Sequence, residues 1–195
     1  MHGVAGSYVL AALAHAGYEQ VHPVAEQFEP DGHFPTVRFP NPEEPGALDL
    51  ALALARKENA ELVLANDPDG DRLAVCVPTA TERWVQLTGN QVGVLLADFL
   101  LESPLRAPIP LVLSSIVSSP MLGSIARARG APFEQTLTGF KWIWNAALVL
   151  EATSAVRYCF GYEEALGYSL GRIVGDKDGI SAGVLFRDLV ARCPP

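Results

Sequence analysis

The sequence predicts an α/β protein made of two consecutive α/β units, with mixed, mostly parallel sheets flanked by helices. Short apolar runs typical of buried strands alternate with segments whose apolar residues recur at helical spacing, an order that favours parallel strands covered by helices. A polar stretch at residues 78–83 interrupts this order and is typical of a linker. Because 195 residues suffice for one large core or two small ones, we divide the chain into residues 1–80 and 81–195.

The elements of the first half follow from glycine punctuation and apolar spacing. We predict a helix from the glycine-rich residues 2–6 to about residue 16, a strand at 21–24, a surface loop at 27–45, a helix carrying Leu48, Ala51, Leu52 and Ala55, and strands at 62–65 and 73–77.

The second half alternates more regularly. We predict strands at residues 84–87, 111–117, 133–136 and 157–160, and helices at 90–101, 120–129 and after 179. A loop at 137–141 leads into a further helix that ends at about residue 151, and a long loop covers 161–179. Polar loops follow the predicted strands, and α/β sheets bind ligands at the carboxyl ends of their strands.

Composition excludes several classes of protein. With 49% hydrophobic and 18% charged residues the chain is globular, and its net charge of -8 argues against nucleic acid or an anionic membrane as partner. Cys76, Cys159 and Cys193 show no CxxC spacing, so they predict neither a disulfide framework nor a zinc site. Residues 8–14 are apolar but no Lys or Arg precedes them, so we expect a helix rather than a signal peptide, and a cytoplasmic protein.

Residues 66–72, NDPDGDR, form the candidate metal site. Asp67, Asp69 and Asp71 alternate between two apolar runs, separated by Pro68 and Gly70. Three close carboxylates repel one another, and Mg²⁺ would cancel that repulsion while leaving room for phosphate oxygens. Pro68 holds the preceding residue extended, and Gly70 permits a positive φ that lets the acids converge. We therefore predict that the three aspartates bind Mg²⁺.

Other interpretations compete for this stretch. An acidic hairpin turn is the plainest, because Asp, Pro and Gly are turn residues anyway. An EF-hand is excluded, since the positions of its glycine and its glutamate, counted from Asp67, hold Arg72 and Pro78. A haloacid-dehalogenase-type phosphatase, with Asp67 as nucleophile and residues 175–178 (GDKD) as acidic motif, stays open as an alternative.

Two further loops carry chemistry. In TLTGFKW (residues 136–142), Thr138, Gly139 and Lys141 lie at a strand-to-helix turn, where backbone N–H groups and a lysine suit a phosphate or a sugar hydroxyl. An ordinary turn with a solvated lysine explains them equally well.

In FGYEEALGY (residues 160–168), Glu163 and Glu164 stand among glycines and aromatics, as sugar-hydroxyl acceptors do. An acidic surface turn is the alternative. Further on, Asp178 could cap the last helix, which would leave Lys177 to face a phosphate.

Together, in this order, these stretches resemble the α-D-phosphohexomutase superfamily, and most of all its phosphoglucomutase and phosphopentomutase branch. NDPDGDR resembles the magnesium loop, TLTGFKW the specificity loop, FGYEEALGY the sugar-binding loop, HGVAG the HGVG turn of the second domain, and GDKDGISA the segment that closes the third. The resemblance implies that residues 1–80 are the C-terminal part of domain II and residues 81–195 are domain III.

The resemblance also implies an activity. The family interconverts a sugar 1-phosphate and a sugar 6-phosphate, here most simply of glucose, through an active-site phosphoserine and a bisphosphate intermediate. It implies that Arg72 and Lys141 are catalytic residues that contact phosphate. The implied ligand sets are Asp67, Asp69 and Asp71 for Mg²⁺, and Thr138, Gly139, Lys141, Glu163, Glu164 and Lys177 for the sugar phosphate.

The chain departs from the family pattern in three places. The Thr-x-Ser-His-Asn-Pro serine loop is absent, and Ser114, Ser115, Ser118 and Ser119 lack its context. The phosphate loop of the fourth domain is absent too, and Ala165 stands where several relatives have serine. We therefore expect a fragment or truncated product that is inactive alone. A non-catalytic sugar-phosphate-binding remnant is the alternative.

Overall fold

The computed structural model describes residues 1–81, 83–102 and 108–192, so Cys193 lies outside the described residues. They form two compact units: the described residues of 1–87 with 179–191 (the first unit), and the described residues of 88–178 with Arg192 (the second unit). Each unit carries one sheet with helices, which confirms the α/β class.

In chain order the described elements are α1 Gly6–His15, α2 Ala25–Phe28, α3 Asp49–Lys57, β1 Val63–Ala65, β2 Ala74–Pro78, β3 Trp84–Gln86, α4 Gly89–Leu101, β4 Ile109–Ser115, α5 Met121–Arg129, β5 Phe133–Thr136, α6 Phe140–Thr153, β6 Val156–Glu163, β7 Gly167–Leu170 and α7 Gly179–Arg192. The longest of them, α6 and α7, have 14 residues, whereas a bilayer requires about 20. None of the described helices has the length and apolar character of a membrane span.

In the first unit the strands pair antiparallel in the order β1-β2-β3. The apolar run that continues into β2 supplies the core, with Leu73 and Val75 fully buried. Gly183 of α7 faces Leu64 and Leu73, so the last helix packs on this sheet. The aspartate loop (residues 66–72) connects β1 to β2.

Two predictions for the first unit are wrong. Residues 21–24 form no strand, because Pro23 has no N–H to donate and the N–H of Val21 bonds locally to the carbonyl of Glu19 (3.0 Å). The polar stretch predicted to be a linker is instead the turn between β2 and β3, closed by a 2.8 Å bond from the N–H of Thr79 to the carbonyl of Arg83.

In the second unit the strand order is β5-β4-β6-β7. β4 runs parallel to β5 and β6, whereas β7 returns antiparallel to β6. Parallel strands end at one edge of a sheet, so Ser115, Thr136 and Glu163 close their strands on the same side. The first part of the predicted loop at 161–179 is a β-hairpin. Residues 160–163 belong to β6 and pair with residues 167–170.

Helices pack on the sheet of the second unit near the ends of its parallel strands. α6 packs its apolar side on the sheet, and the ring of Trp144 meets that of Tyr158 edge-on at 5.2 Å between centroids. The core cluster here comprises Leu111, Leu113, Phe140, Ile143, Ala147 and Tyr158. α4 begins with a capping box in which the hydroxyl of Thr88 accepts from the N–H of Gln91. The first residue of α4, Gly89, lies against the β6–β7 bend, where an added Cβ would be 1.9 Å from the carbonyl oxygen of Glu164.

Candidate functional site

The three aspartates of NDPDGDR converge in the first unit. One carboxylate oxygen from each of Asp67, Asp69 and Asp71 lies within 4.8 Å of the others, a group that could hold a metal ion. Asp67 is only 8% exposed, whereas Asp71 is half-buried and Asp69 exposed. An all-oxygen donor set with an exposed member fits a hard divalent cation that keeps water or phosphate ligands.

The loop conformation has local and distant causes. Gly70 adopts φ +76°, in the left-handed region that favours glycine, and its N–H bonds to the carbonyl of Asp67 (3.2 Å). The glycine-rich residues 2–6 press on the same loop: the N–H of Val4 donates to the carbonyl of Pro68 (2.8 Å). A Cβ on Gly3 would lie 2.1 Å from that carbonyl oxygen. The N-terminal turn therefore supports the aspartates directly.

The three carboxylates of the loop repel one another. Burial, followed by repulsion from Asp71 and Asp69, raises the pKa of Asp67 to about 6, although the backbone N–H of Arg72 donates to its carboxylate and opposes the rise. The guanidinium Nε of Arg72 is 3.7 Å from Asp67 Oδ2 and 4.0 Å from Asp71 Oδ1. Arg72 thus lies near two of the three acids, and the mutual repulsion of the three close carboxylates favours an added cation.

In the second unit the loop TLTGFKW (residues 136–142) contacts the loop FGYEEALGY (residues 160–168). The N–H of Gly139 donates to Oε1 of Glu163 at 2.5 Å, joining the ends of β5 and β6. Glu163 is 9% exposed. Gly139 has φ +117°, which disfavours any other residue, and α6 begins directly after it. A helix N-terminus with a carboxylate beside it is therefore built into this edge.

Lys177 lies close to this arrangement. Its methylene groups cover Gly167, where an added Cβ would be 2.5 Å from Cδ. Its Nζ is 5.8 Å from the ring centroid of Phe140 and 3.5 Å from Asp176 Oδ1. The other two predicted residues are both exposed: Thr138 lies on the loop between β5 and α6, and Lys141 lies in the first turn of α6. The Nζ of Lys141 lies over the ring of Trp142.

Glu164 has partners that the sequence did not indicate. Its Oε2 lies 3.2 Å from Ser115 Oγ and 3.1 Å from Ser118 Oγ. Both serines come at the end of β4, the strand next to β6 in the sheet. In the sequence these serines stand out only as part of a serine-rich stretch that lacks the His-Asn-Pro context of the family's serine loop.

Comparisons with known proteins give one family. The family profile "Phosphoglucomutase/phosphomannomutase, alpha/beta/alpha domain II" matches residues 1–80, and the corresponding profile for domain III matches residues 88–193.

Among curated proteins, a probable phosphomannomutase of Haemophilus influenzae is 49% identical over 191 residues, 97% of this chain and 37% of that protein. A human phosphopentomutase is 43% identical over 199 residues, 98% of this chain and 32% of that protein. Among solved structures, a putative phosphomannomutase from Thermus thermophilus matches with a TM-score of 0.79 and 26% identity, over 98% of this chain and 40% of that one. The chain thus spans well under half the length of these relatives.

Proposed function

Because the chain belongs to the phosphoglucomutase/phosphomannomutase family of the α-D-phosphohexomutase superfamily, we propose that it is part of a phosphosugar mutase. The reaction is the interconversion of a sugar 1-phosphate and a sugar 6-phosphate, with glucose as first candidate, through a phosphoserine and a bisphosphate intermediate. The observation that carries the proposal is the hydrogen bond from Gly139 to Glu163, because it joins the two loops to which the sugar phosphate is assigned.

In the first unit we assign Asp67, Asp69 and Asp71 to Mg²⁺. The convergence of their oxygens and the raised pKa of Asp67 support this assignment. When bound, the ion would supply positive charge that stabilises charge on a transferring phosphoryl group. Arg72, already between Asp67 and Asp71, would orient their carboxylates and contact phosphate.

In the second unit the assignments follow the contacts. Glu163, held by Gly139, and Glu164 accept sugar hydroxyls. Thr138 on the preceding loop and Lys141 in the first turn of α6, both exposed, bind phosphate at the N-terminus of α6, while Gly139 lines the site and its N–H holds Glu163. Lys177 adds a positive charge near Phe140.

The division into domain II at residues 1–80 and domain III at 81–195 remains our proposal, supported by profile matches that end at residue 80 and begin at residue 88. Because the printed sequence contains no Thr-x-Ser-His-Asn-Pro loop, we propose that these residues alone do not turn over substrate. We also propose a cytoplasmic location. The two described cysteines, Cys76 and Cys159, are free thiols, as is usual in a reducing compartment.

Titration of the ¹⁵N-labelled chain with glucose 1-phosphate in Mg²⁺ tests the proposal. We expect the amides of Gly139 and Glu163 to shift, and Glu163→Gln to weaken the affinity about tenfold, the effect of one hydrogen bond to a charged acceptor. Ribose 1-phosphate and mannose 1-phosphate, measured in parallel, rank the sugars.

Glu134→Gln is the matched control, because Glu134 is exposed on β5 and its carboxylate bonds only to the neighbouring N–H of Gln135 among the described residues. Equal affinities in both variants, or no shift with any sugar phosphate, would contradict the assignment. A coupled assay on the same chain should show no conversion to the 6-phosphate; robust turnover would refute the requirement for the missing serine loop.

A further inference from the structure

In the second unit two buried serines form hydrogen bonds with Glu164 in the bend between β6 and β7 (the double-glutamate bend, residues 163–167). Ser115 is fully buried and Ser118 is 5% exposed. Their Oγ atoms are 2.7 Å apart, and each lies within 3.2 Å of Glu164 Oε2. The backbone N–H of Glu164 also donates to Ser118 Oγ (3.2 Å). Side chain and backbone of Glu164 are thus both tied to the end of β4.

These contacts are more than the incidental result of burial. A buried hydroxyl without a partner loses its hydration uncompensated, and a hydroxyl that donates to a carboxylate makes one of the stronger hydrogen bonds in proteins. Ser114, one residue earlier in the same strand, is equally buried, yet its hydroxyl has no partner among the described residues. Burial at the end of β4 therefore does not by itself produce this pairing.

The bend that the serines hold is under backbone strain. Leu166 is a buried non-glycine residue with φ +62°, a conformation that costs about 1 kcal/mol or more and persists only where the surroundings enforce it. Gly89 at the start of α4 packs against the carbonyl of Glu164. The bend is therefore held by contacts with both the start of α4 and the serine pair.

We propose that Ser115 and Ser118 are positioning residues for sugar recognition. They hold Oε2 of Glu164, which keeps Glu163 on the amide of Gly139 and leaves Glu164 Oε1, unbonded within the described part of the chain, to accept a sugar hydroxyl. The part of this inference that concerns the sugar rests on the proposed function, whereas the part that concerns the bend does not.

The bend is tested first, without ligand. Amide hydrogen exchange at Gly139 is measured in the full 195-residue chain and in Ser118→Ala, Ser115→Ala and the control Ser114→Ala. We expect exchange to accelerate about tenfold in the first two variants, as loss of a charge-assisted hydrogen bond predicts, and to stay within about twofold in the control. Should one variant fail to fold, the other makes the same measurement. Unchanged exchange at Gly139 in a folded Ser115 or Ser118 variant would overturn the inference.

Sugar positioning is tested with two probes, glucose 1-phosphate and inorganic phosphate. A positioning role predicts that the serine variants bind glucose 1-phosphate about tenfold more weakly and inorganic phosphate as before. A general structural defect would weaken both probes equally, and this result would refute the positioning role. Failure of the unaltered chain to bind glucose 1-phosphate would contradict the proposed function and the sugar part of this inference, while Gly139 exchange would still decide the role of the bend.

Discussion

Replacing Asp67 by asparagine should stabilise the metal-free chain at neutral pH. The folded state raises the pKa of Asp67 from an ordinary 3.8 to about 6, first through burial, so the folded state binds this proton more tightly than the unfolded state does. Stability is then highest below about pH 4, falls between about pH 4 and 6, and is lower by up to about 3 kcal/mol above that range. Asparagine removes this penalty but accepts more weakly from the N–H of Arg72, a loss of about 1 kcal/mol.

The expected net gain for Asp67→Asn is therefore about 2 kcal/mol at pH 7.5, changing to a loss of about 1 kcal/mol near pH 4. Urea unfolding in EDTA measures it, with fluorescence from Trp84, the tryptophan of the first unit. A background of Trp142→Phe and Trp144→Phe makes Trp84 the sole emitter.

Asp69→Asn is the control for this experiment. Asp69 lies in the same loop but is exposed, so its replacement relieves repulsion without relieving burial and should give a clearly smaller gain. The reasoning about Asp67 is refuted if Asp67→Asn gives no gain at pH 7.5, or if its gain is the same at pH 4.

Three further predictions concern stability. Mg²⁺ at ten times its Kd should stabilise the unaltered chain by about 1.4 kcal/mol and Asp67→Asn hardly at all, measured by the same unfolding assay; equal stabilisation would contradict the metal assignment. In α7, Gly183→Ala should raise the unfolding free energy by about 0.5–1 kcal/mol, because its Cβ would make ordinary 3.6 Å contacts in a helix interior. Gly179→Ala should lower it by about 1–3 kcal/mol, because its Cβ would lie 2.3 Å from the carbonyl oxygen of Arg72; thermal unfolding that ranks the two the other way would refute this packing. Thr88→Ala should cost about 1 kcal/mol by removing the capping box of α4, seen as faster amide exchange in the first turn of that helix but not in α6.

Periodic segments and turn chemistry were legible in the sequence and led to the correct class, and the resemblance of its ordered loop motifs to a known family led to the correct family. The predictions failed where the formation of a strand depends on a neighbouring strand with which it can pair. Residues 21–24 have strand-like composition yet form no strand, and residues 167–170, which the sequence predicts to be loop, pair with β6. A short segment becomes a strand only when its N–H and C=O groups find a neighbouring backbone, and local composition does not specify that neighbour.

The same distinction holds for the candidate sites. The sequence alone determined that three acids share one tight loop, because Pro68 and Gly70 act within four residues of each of them. Only the tertiary structure revealed the support of that loop by Gly3, and the grip of Ser118 on Glu164 across 46 residues. Close backbone approach and buried hydrogen bonds depend on where sheets and helices bring distant residues together, and this cannot be read from spacing along the chain.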